Sequence, residues 1–187
     1  MKRFPITALV AALGFPALAQ NNSPAVPAPA PPTAPAVPCS KPEHRQFDFW
    51  IGDWDVFNPK GDTAGTNLIK PMLGGCVLHE NWAGKGNFSG QSFNAYDARR
   101  GRWHQTWMDM SGGVLMLDGA FENGVMTLTD RDLAGKKDPN VVNEISWTPN
   151  PDGSVRQHWR TSKDGGKTWT TAFDGKYVRS SRPQPSR

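Results

Sequence analysis

The sequence predicts one all-β domain, folded as a single antiparallel up-and-down β-barrel of about ten strands, with a two-sheet β-sandwich as the alternative. Beyond Cys39 the apolar residues show no sustained 3.6-residue periodicity. Short runs rich in Trp, Phe, Val, Thr and Ile recur instead, as in strands. Turn sequences such as Asn-Pro-Lys-Gly at 58–61 and Asn-Pro-Asp-Gly at 150–153 separate them, which favours pairing between successive strands.

The turn positions divide the domain into ten expected strands, preceded by one short helical turn at 42–47. The strand ranges are 49–57, 66–72, 76–82, 90–97, 103–110, 114–121, 125–130, 141–148, 154–161 and 169–178. An open meander of this many strands would leave two unpaired edges, and closure into a barrel removes them. A barrel of this size has room for a small ligand, whereas a sandwich fills its interior with side chains.

The N-terminal segment predicts an exported protein. Residues 1–19 combine a basic start, an apolar run and a small-residue site after Ala19, which is typical of a cleaved Sec-type signal peptide. We therefore expect a periplasmic or secreted protein with no membrane insertion after cleavage. Residues 20–38 form a Pro/Ala-rich linker, 39–179 the barrel domain and 180–187 a tail, and both linker and tail are expected to be disordered.

The cysteines predict a disulfide, and the charge distribution argues against nucleic acid as a partner. In an oxidising compartment, Cys39 and Cys76 are expected to form a disulfide, with two free thiols as the alternative. The formal net charge of the 187 residues is +4, and the basic residues are scattered rather than arranged in a stripe. Nucleic acid is therefore not an expected partner, and the sequence favours no oligomeric state.

Several segments resemble known families. The stretch 47–56, with Gly52 and Trp54, resembles the Gly-x-Trp start of the calycin superfamily, which includes the lipocalins. The segments 75–82, 90–97 and 103–109 are similar to a bacterial exported domain of unknown function, DUF1579. This resemblance covers nearly the whole domain and implies a calycin-like barrel, but it implies no activity.

Alternation along the strands predicts an unusual inner face. On that face, four tryptophans share one side with polar residues. The expected ligand-binding set is Glu80, Trp82, Asn94, Tyr96, Trp103, Gln105, Trp107, Asp109, Gln157 and Trp159. Buried polar groups are costly unless they are hydrogen-bonded. They therefore form a network with trapped water or line a cavity for a small amphipathic molecule, and both possibilities stay open.

Catalysis is a further hypothesis, although the sequence favours a protein without enzymatic activity. Glu80 and Asp109 are the only candidates for proton transfer, as in an isomerase or lyase. The alternative is that each carboxylate binds a Trp indole or an arginine. A third possibility is a non-catalytic envelope interaction module with a filled interior.

No cofactor or metal is expected. The four histidines lack metal-ligand spacing, and His158 should point outward because Trp159 points inward, which disfavours haem. The glycine-rich segment 84–90 lacks the third glycine of a dinucleotide loop, and no serine hydrolase motif is present. The segment 162–169 matches a single Asp-box, which we interpret as a structural hairpin.

Overall fold

A computed structural model describes residues 37–182, so the predicted signal peptide, most of the linker and the last five residues lie outside the described part. Ten antiparallel strands form a closed barrel in which successive strands pair and the last pairs with the first. The strands are β1 Gly52–Phe57, β2 Thr63–Met72, β3 Val77–Gly84, β4 Ser89–Asp97, β5 Arg102–Asp109, β6 Val114–Glu122, β7 Val125–Thr129, β8 Val142–Pro149, β9 Val155–Ser162 and β10 Thr170–Arg179. The predicted barrel is confirmed, and the sandwich alternative is wrong.

The largest differences from the predicted strands lie at the starts of β1 and β2, and β2 begins at Thr63 rather than at residue 66. Residues 49–51 were expected in β1, but Asp48–Trp50 form a 3-10 helix, with the Trp50 amide donating to the Phe47 carbonyl at 3.1 Å. Two further 3-10 helices span Pro42–Arg45 and Leu73–Gly75. Among residues 37–182, no helix is both long enough and apolar enough to cross a membrane.

An aromatic plug, Phe47 and Trp50, closes one end of the barrel. Both side chains are fully buried and stack on each other with 4.9 Å between ring centroids. Phe47 also meets the rings of Trp103 and Trp147 edge-on, at 5.6 and 5.2 Å. Because these rings come from β5 and β8, the plug contacts two separate parts of the barrel wall.

A contact between the first and last strands closes the wall near the same end. The Arg179 guanidinium lies over the Trp54 ring, 3.9 Å from its centroid, and Nη1 donates to the Ile51 carbonyl at 2.6 Å. A side chain at Gly52 would place its Cβ 1.8 Å from that nitrogen, and its φ of +151° is one that other residues rarely adopt. Glycine at 52 is therefore required by this closure.

The expected disulfide is confirmed between Cys39 and Cys76, whose sulfurs are 2.10 Å apart. It links the chain before the plug to the turn that follows β2. The plug segment is thus held covalently at its N-terminal side and by the start of β1 at its other side.

The plug should dominate stability. Phe47→Ala removes a fully buried ring, and we expect the free energy of unfolding to fall by about 3–5 kcal/mol. Phe93→Ala is the matched control, because that ring is 48% exposed on the outer face, and it should cost much less. Chemical denaturation of both variants measures the difference, and equal losses would contradict a structural role of the plug.

Removing the disulfide should also destabilise the barrel. The bond closes a loop between residues 37 positions apart. Replacing both cysteines with serine should lower the free energy of unfolding by about 2–4 kcal/mol, because the unfolded chain gains entropy. Denaturation in oxidising buffer tests this. A wild-type midpoint in the double variant would show that the non-covalent contacts of the plug are sufficient.

Candidate ligand-binding cavity

The inner face is the one that alternation predicts. Leu78 and Glu80 of β3, and Ser92 and Asn94 of β4, are buried. Arg102 and Arg156 have the opposite parity, meaning that alternation places their side chains on the other face of the sheet, and both are exposed. Aromatic and polar side chains therefore share the interior of the barrel.

Above the plug, the interior contains a cavity of about 330 Å³. Four half-buried aromatic side chains, Trp82, Trp107, Trp159 and Phe173, contribute to its walls. The full lining is Ala64, Glu80, Trp82, Gly84, Lys85, Phe88, Gln105, Trp107, Leu115, Ile145, Gln157, Trp159, Ala172, Phe173 and Tyr177. The volume is at the lower end of the range for small-molecule sites, about 300–1,000 Å³.

Exposed lining residues mark the mouth of the cavity. Lys85 and Phe88 come from the β3–β4 hairpin, and Ala172 comes from the start of β10. The pairing of β1 with β10 ends at Phe57 and Lys176, so the first part of β10 extends beyond β1. The rings of Trp82 and Phe173 meet edge-on at 5.7 Å across this region.

A carboxyl group lies at the base of the cavity. Glu80 is 4% exposed and accepts two hydrogen bonds, from Asn67 Nδ2 to Oε1 at 2.7 Å and from the Ser92 hydroxyl to Oε2 at 2.6 Å. Burial raises the pKa of Glu80 from 4.5 to about 7, against the lowering effect of these two bonds. The group therefore changes its charge near neutral pH.

The hydrogen bonds continue in both directions from Glu80 as a polar belt across the barrel. On one side Ser92 accepts from Asn94 Nδ2 at 2.8 Å, and Gln105 Nε2 donates to Asn94 Oδ1 at 2.7 Å. On the other side Asn67 Nδ2 lies 3.3 Å from the Tyr177 hydroxyl, which donates to Gln157 Oε1.

The polar belt therefore has members on six strands. Its members are Gln157 of β9, Tyr177 of β10, Asn67 of β2, Glu80 of β3, Ser92 and Asn94 of β4 and Gln105 of β5. Glu80, Gln105, Gln157 and Tyr177 also line the cavity. The sequence analysis treats a hydrogen-bonded polar network and a ligand cavity as alternatives, and the structure contains both.

Some residues expected in the site lie elsewhere. Trp103 is buried at the closed end and donates from Nε1 to Gln46 at 3.1 Å. Tyr96 packs beside it, 6.2 Å between centroids. Asn94 belongs to the polar belt but does not line the cavity. Parity gave the correct side of the sheet but not the position along the barrel axis.

Asp109 lies at the end of β5, where the β5–β6 turn holds its carboxylate. It accepts from the Ser111 amide at 2.8 Å, the Ser111 hydroxyl at 2.5 Å and the Gly113 amide at 3.2 Å. The bonds from Ser111, with further ones from Gly113 and the Trp107 indole, lower the pKa of Asp109. Asp109 does not line the cavity with Glu80, so the structure does not bring the expected carboxylate pair together.

The predicted ligand-binding set does not include Asn67, Ser92, Phe173 or Tyr177, although alternation places Ser92 on the inner face. Asn67 and Tyr177 lie on strands where parity was not applied, although they alternate with buried Gly65 and Gly175. Their hydrogen bond joins residues 110 positions apart, which no local pattern reports.

No metal centre is evident among residues 37–182. No group of three or more His, Cys, Asp or Glu side chains in this part could hold a metal ion. His158 bonds Thr171 on the outer face, as parity predicted. In the Asp-box segment, Asp164 accepts bonds from Ser162 and Thr168, so the motif stabilises its own hairpin.

The chain matches no model of a known protein family. A search of curated proteins also finds no significant match. Function must therefore be argued from the cavity.

The buried carboxyl group should give stability a characteristic pH dependence. Because the pKa of Glu80 is about 7 in the folded protein and 4.5 as its ordinary value, the folded state holds the proton more tightly. The contribution of Glu80 to stability should therefore be greatest below pH 4.5 and decline by about 3 kcal/mol in total as the pH rises through 7. Glu80→Gln should remove this decline.

Urea denaturation at intervals between pH 5 and 8 measures the effect as a difference from wild type. Glu122→Gln, an exposed carboxylate at the end of β6, is the matched control and should keep the wild-type slope. An unchanged slope in Glu80→Gln would show that Glu80 keeps an ordinary pKa.

Proposed function

We propose that the protein is an exported small-molecule-binding barrel whose cavity holds a small amphipathic ligand. The observation that carries the proposal is the combination of an aromatic wall with a buried polar base in one open cavity of about 330 Å³. Binding sites for small molecules are typically apolar and contain a few placed polar groups. Trp82, Trp107 and Trp159 supply the apolar part, and Glu80 and Gln157 supply the polar part.

The division of the interior supports binding over a purely structural role. The closed end is filled by the plug and its neighbours, and the fold is held there. If the interior served stability alone, the other end could be filled with aliphatic side chains at lower cost than a buried carboxyl group. The polar belt instead leaves Glu80 at the base of an accessible space.

Export and family are part of the proposal. The Cys39–Cys76 disulfide supports an oxidising compartment, in agreement with a periplasmic or secreted protein. The closed ten-stranded meander is compatible with a calycin-like barrel of the DUF1579 type. We propose both the localisation and the family on these grounds.

Intrinsic fluorescence and calorimetry test the binding function. A metabolite library should contain compounds that change tryptophan emission and raise the melting temperature, because three of the eight tryptophans line the cavity. Trp107→Leu should weaken binding of such a compound about tenfold or more. Calorimetric titration gives the affinity independently of fluorescence.

Trp169→Phe is the matched control for the tryptophan variant. Trp169 lies under Arg160 in the β9–β10 hairpin, at 4.4 Å, and does not line the cavity. Its variant should bind like wild type. A library without any stabilising compound, or equal losses in both variants, would contradict the proposal.

A further inference from the structure

The base of the cavity presents hydrogen-bond acceptors. Both oxygens of Glu80 already accept from neutral donors, Asn67 and Ser92. A polar ligand group that contacts the Glu80 carboxylate must therefore donate hydrogen bonds or carry positive charge.

The charge of Glu80 is not balanced inside the barrel. Among residues 37–182, no lysine, arginine or histidine forms an ion pair with its carboxylate. Lys85, the other charged lining residue, is exposed at the mouth. A buried carboxylate without a cation is unfavourable, and a ligand cation would remove that penalty by direct attraction.

The walls favour the same kind of ligand. The faces of tryptophan rings carry partial negative charge and attract cations, most strongly where water is excluded. Trp82, Trp107 and Trp159 surround the space above Glu80. An anionic ligand would be repelled by the ionised carboxylate of Glu80, so the cavity selects against it.

We propose that the cavity binds a protonated amine carried on a small aromatic or aliphatic body, with the cation against Glu80 and the body between the tryptophan rings. This inference rests on the proposed binding function. It narrows the ligand from amphipathic molecules in general to amphipathic cations.

Three probes of nearly equal size separate charge from shape. Phenethylamine is a cation at pH 8, 2-phenylethanol is neutral but still donates a hydrogen bond, and phenylacetate is an anion. In calorimetric titrations of the mature protein at pH 8, phenethylamine should bind about tenfold or more tightly than 2-phenylethanol. Phenylacetate should bind least.

Variants assign the selectivity to the carboxylate. Glu80→Gln keeps the size of the side chain and an acceptor for Asn67, so it should fold and should lose the preference for the amine. Glu122→Gln, exposed on β6, should retain it. Lys85→Met removes the cation at the mouth of the cavity, so amine binding should become tighter.

The pH supplies a second readout. Amine binding requires ionised Glu80, so the affinity for phenethylamine should be about tenfold weaker at pH 6 than at pH 8, while that for 2-phenylethanol should change little. The groups facing Glu80 are Asn67 of β2, Ser92 of β4 and Tyr177 of β10. Burial raises the pKa of Tyr177 well above its usual range, so it stays neutral here.

The outcomes separate the two proposals. If 2-phenylethanol or phenylacetate binds as tightly as phenethylamine, or if Glu80→Gln keeps the preference, the cationic ligand class is overturned and the binding function remains. If none of the three probes binds at 10 mM and no compound of the metabolite library binds either, both the binding function and the cationic ligand class are overturned. A preference for the amine that is lost only in Glu80→Gln supports both.

Discussion

The packing of Phe47 and Trp50 into one end of the barrel is the contact on which the rest of the structure depends. A closed sheet of ten strands has more interior than its own side chains fill, and the plug fills one end with rings that touch Trp103, Trp147 and Tyr177. The disulfide and the Arg179 contact with Trp54 hold the plug segment and the β1–β10 seam at that end. Stability is thus concentrated in half of the molecule, and the other half need not be filled.

The polar belt separates these halves. Tyr177 shows the division most clearly, because its ring packs on the plug while its hydroxyl joins Asn67 and Gln157. Below it the interior is aromatic and closed, and above it the interior is a cavity with Glu80 at the base. Hydrogen bonds from neighbouring strands fix the carboxyl group in place, but they do not neutralise it. The site is therefore preorganised while its charge remains available to a ligand.

Much of the fold could be predicted from sequence, because turn chemistry and alternation are local. The same reasoning failed at Trp50, since Phe47, Phe49 and the residues after them alternate like a strand while the chain forms a 3-10 turn. Alternation found Glu80, Trp82, Trp107 and Gln157 because each lies in a regular strand. It placed Asp109 beside them because parity carries no information about depth, and the amides of a turn hold that carboxylate instead. The contact of Asn67 with Tyr177 depends on closure of the whole barrel.

The cost of burying Glu80 is itself an argument about the site. The raised pKa means that the folded protein is less stable with the carboxylate ionised than with it protonated, so at neutral pH this side chain weakens the fold. Glutamine would fill the same volume and could satisfy Asn67 without that penalty. A buried charge of this kind is typical of functional sites, where it makes an interaction that glutamine could not make. A cation bound against Glu80 would remove the cost of burying the carboxylate, and that free energy would add to the affinity for the ligand. The plug stabilises the other end of the barrel, and this stability offsets the cost of burying Glu80.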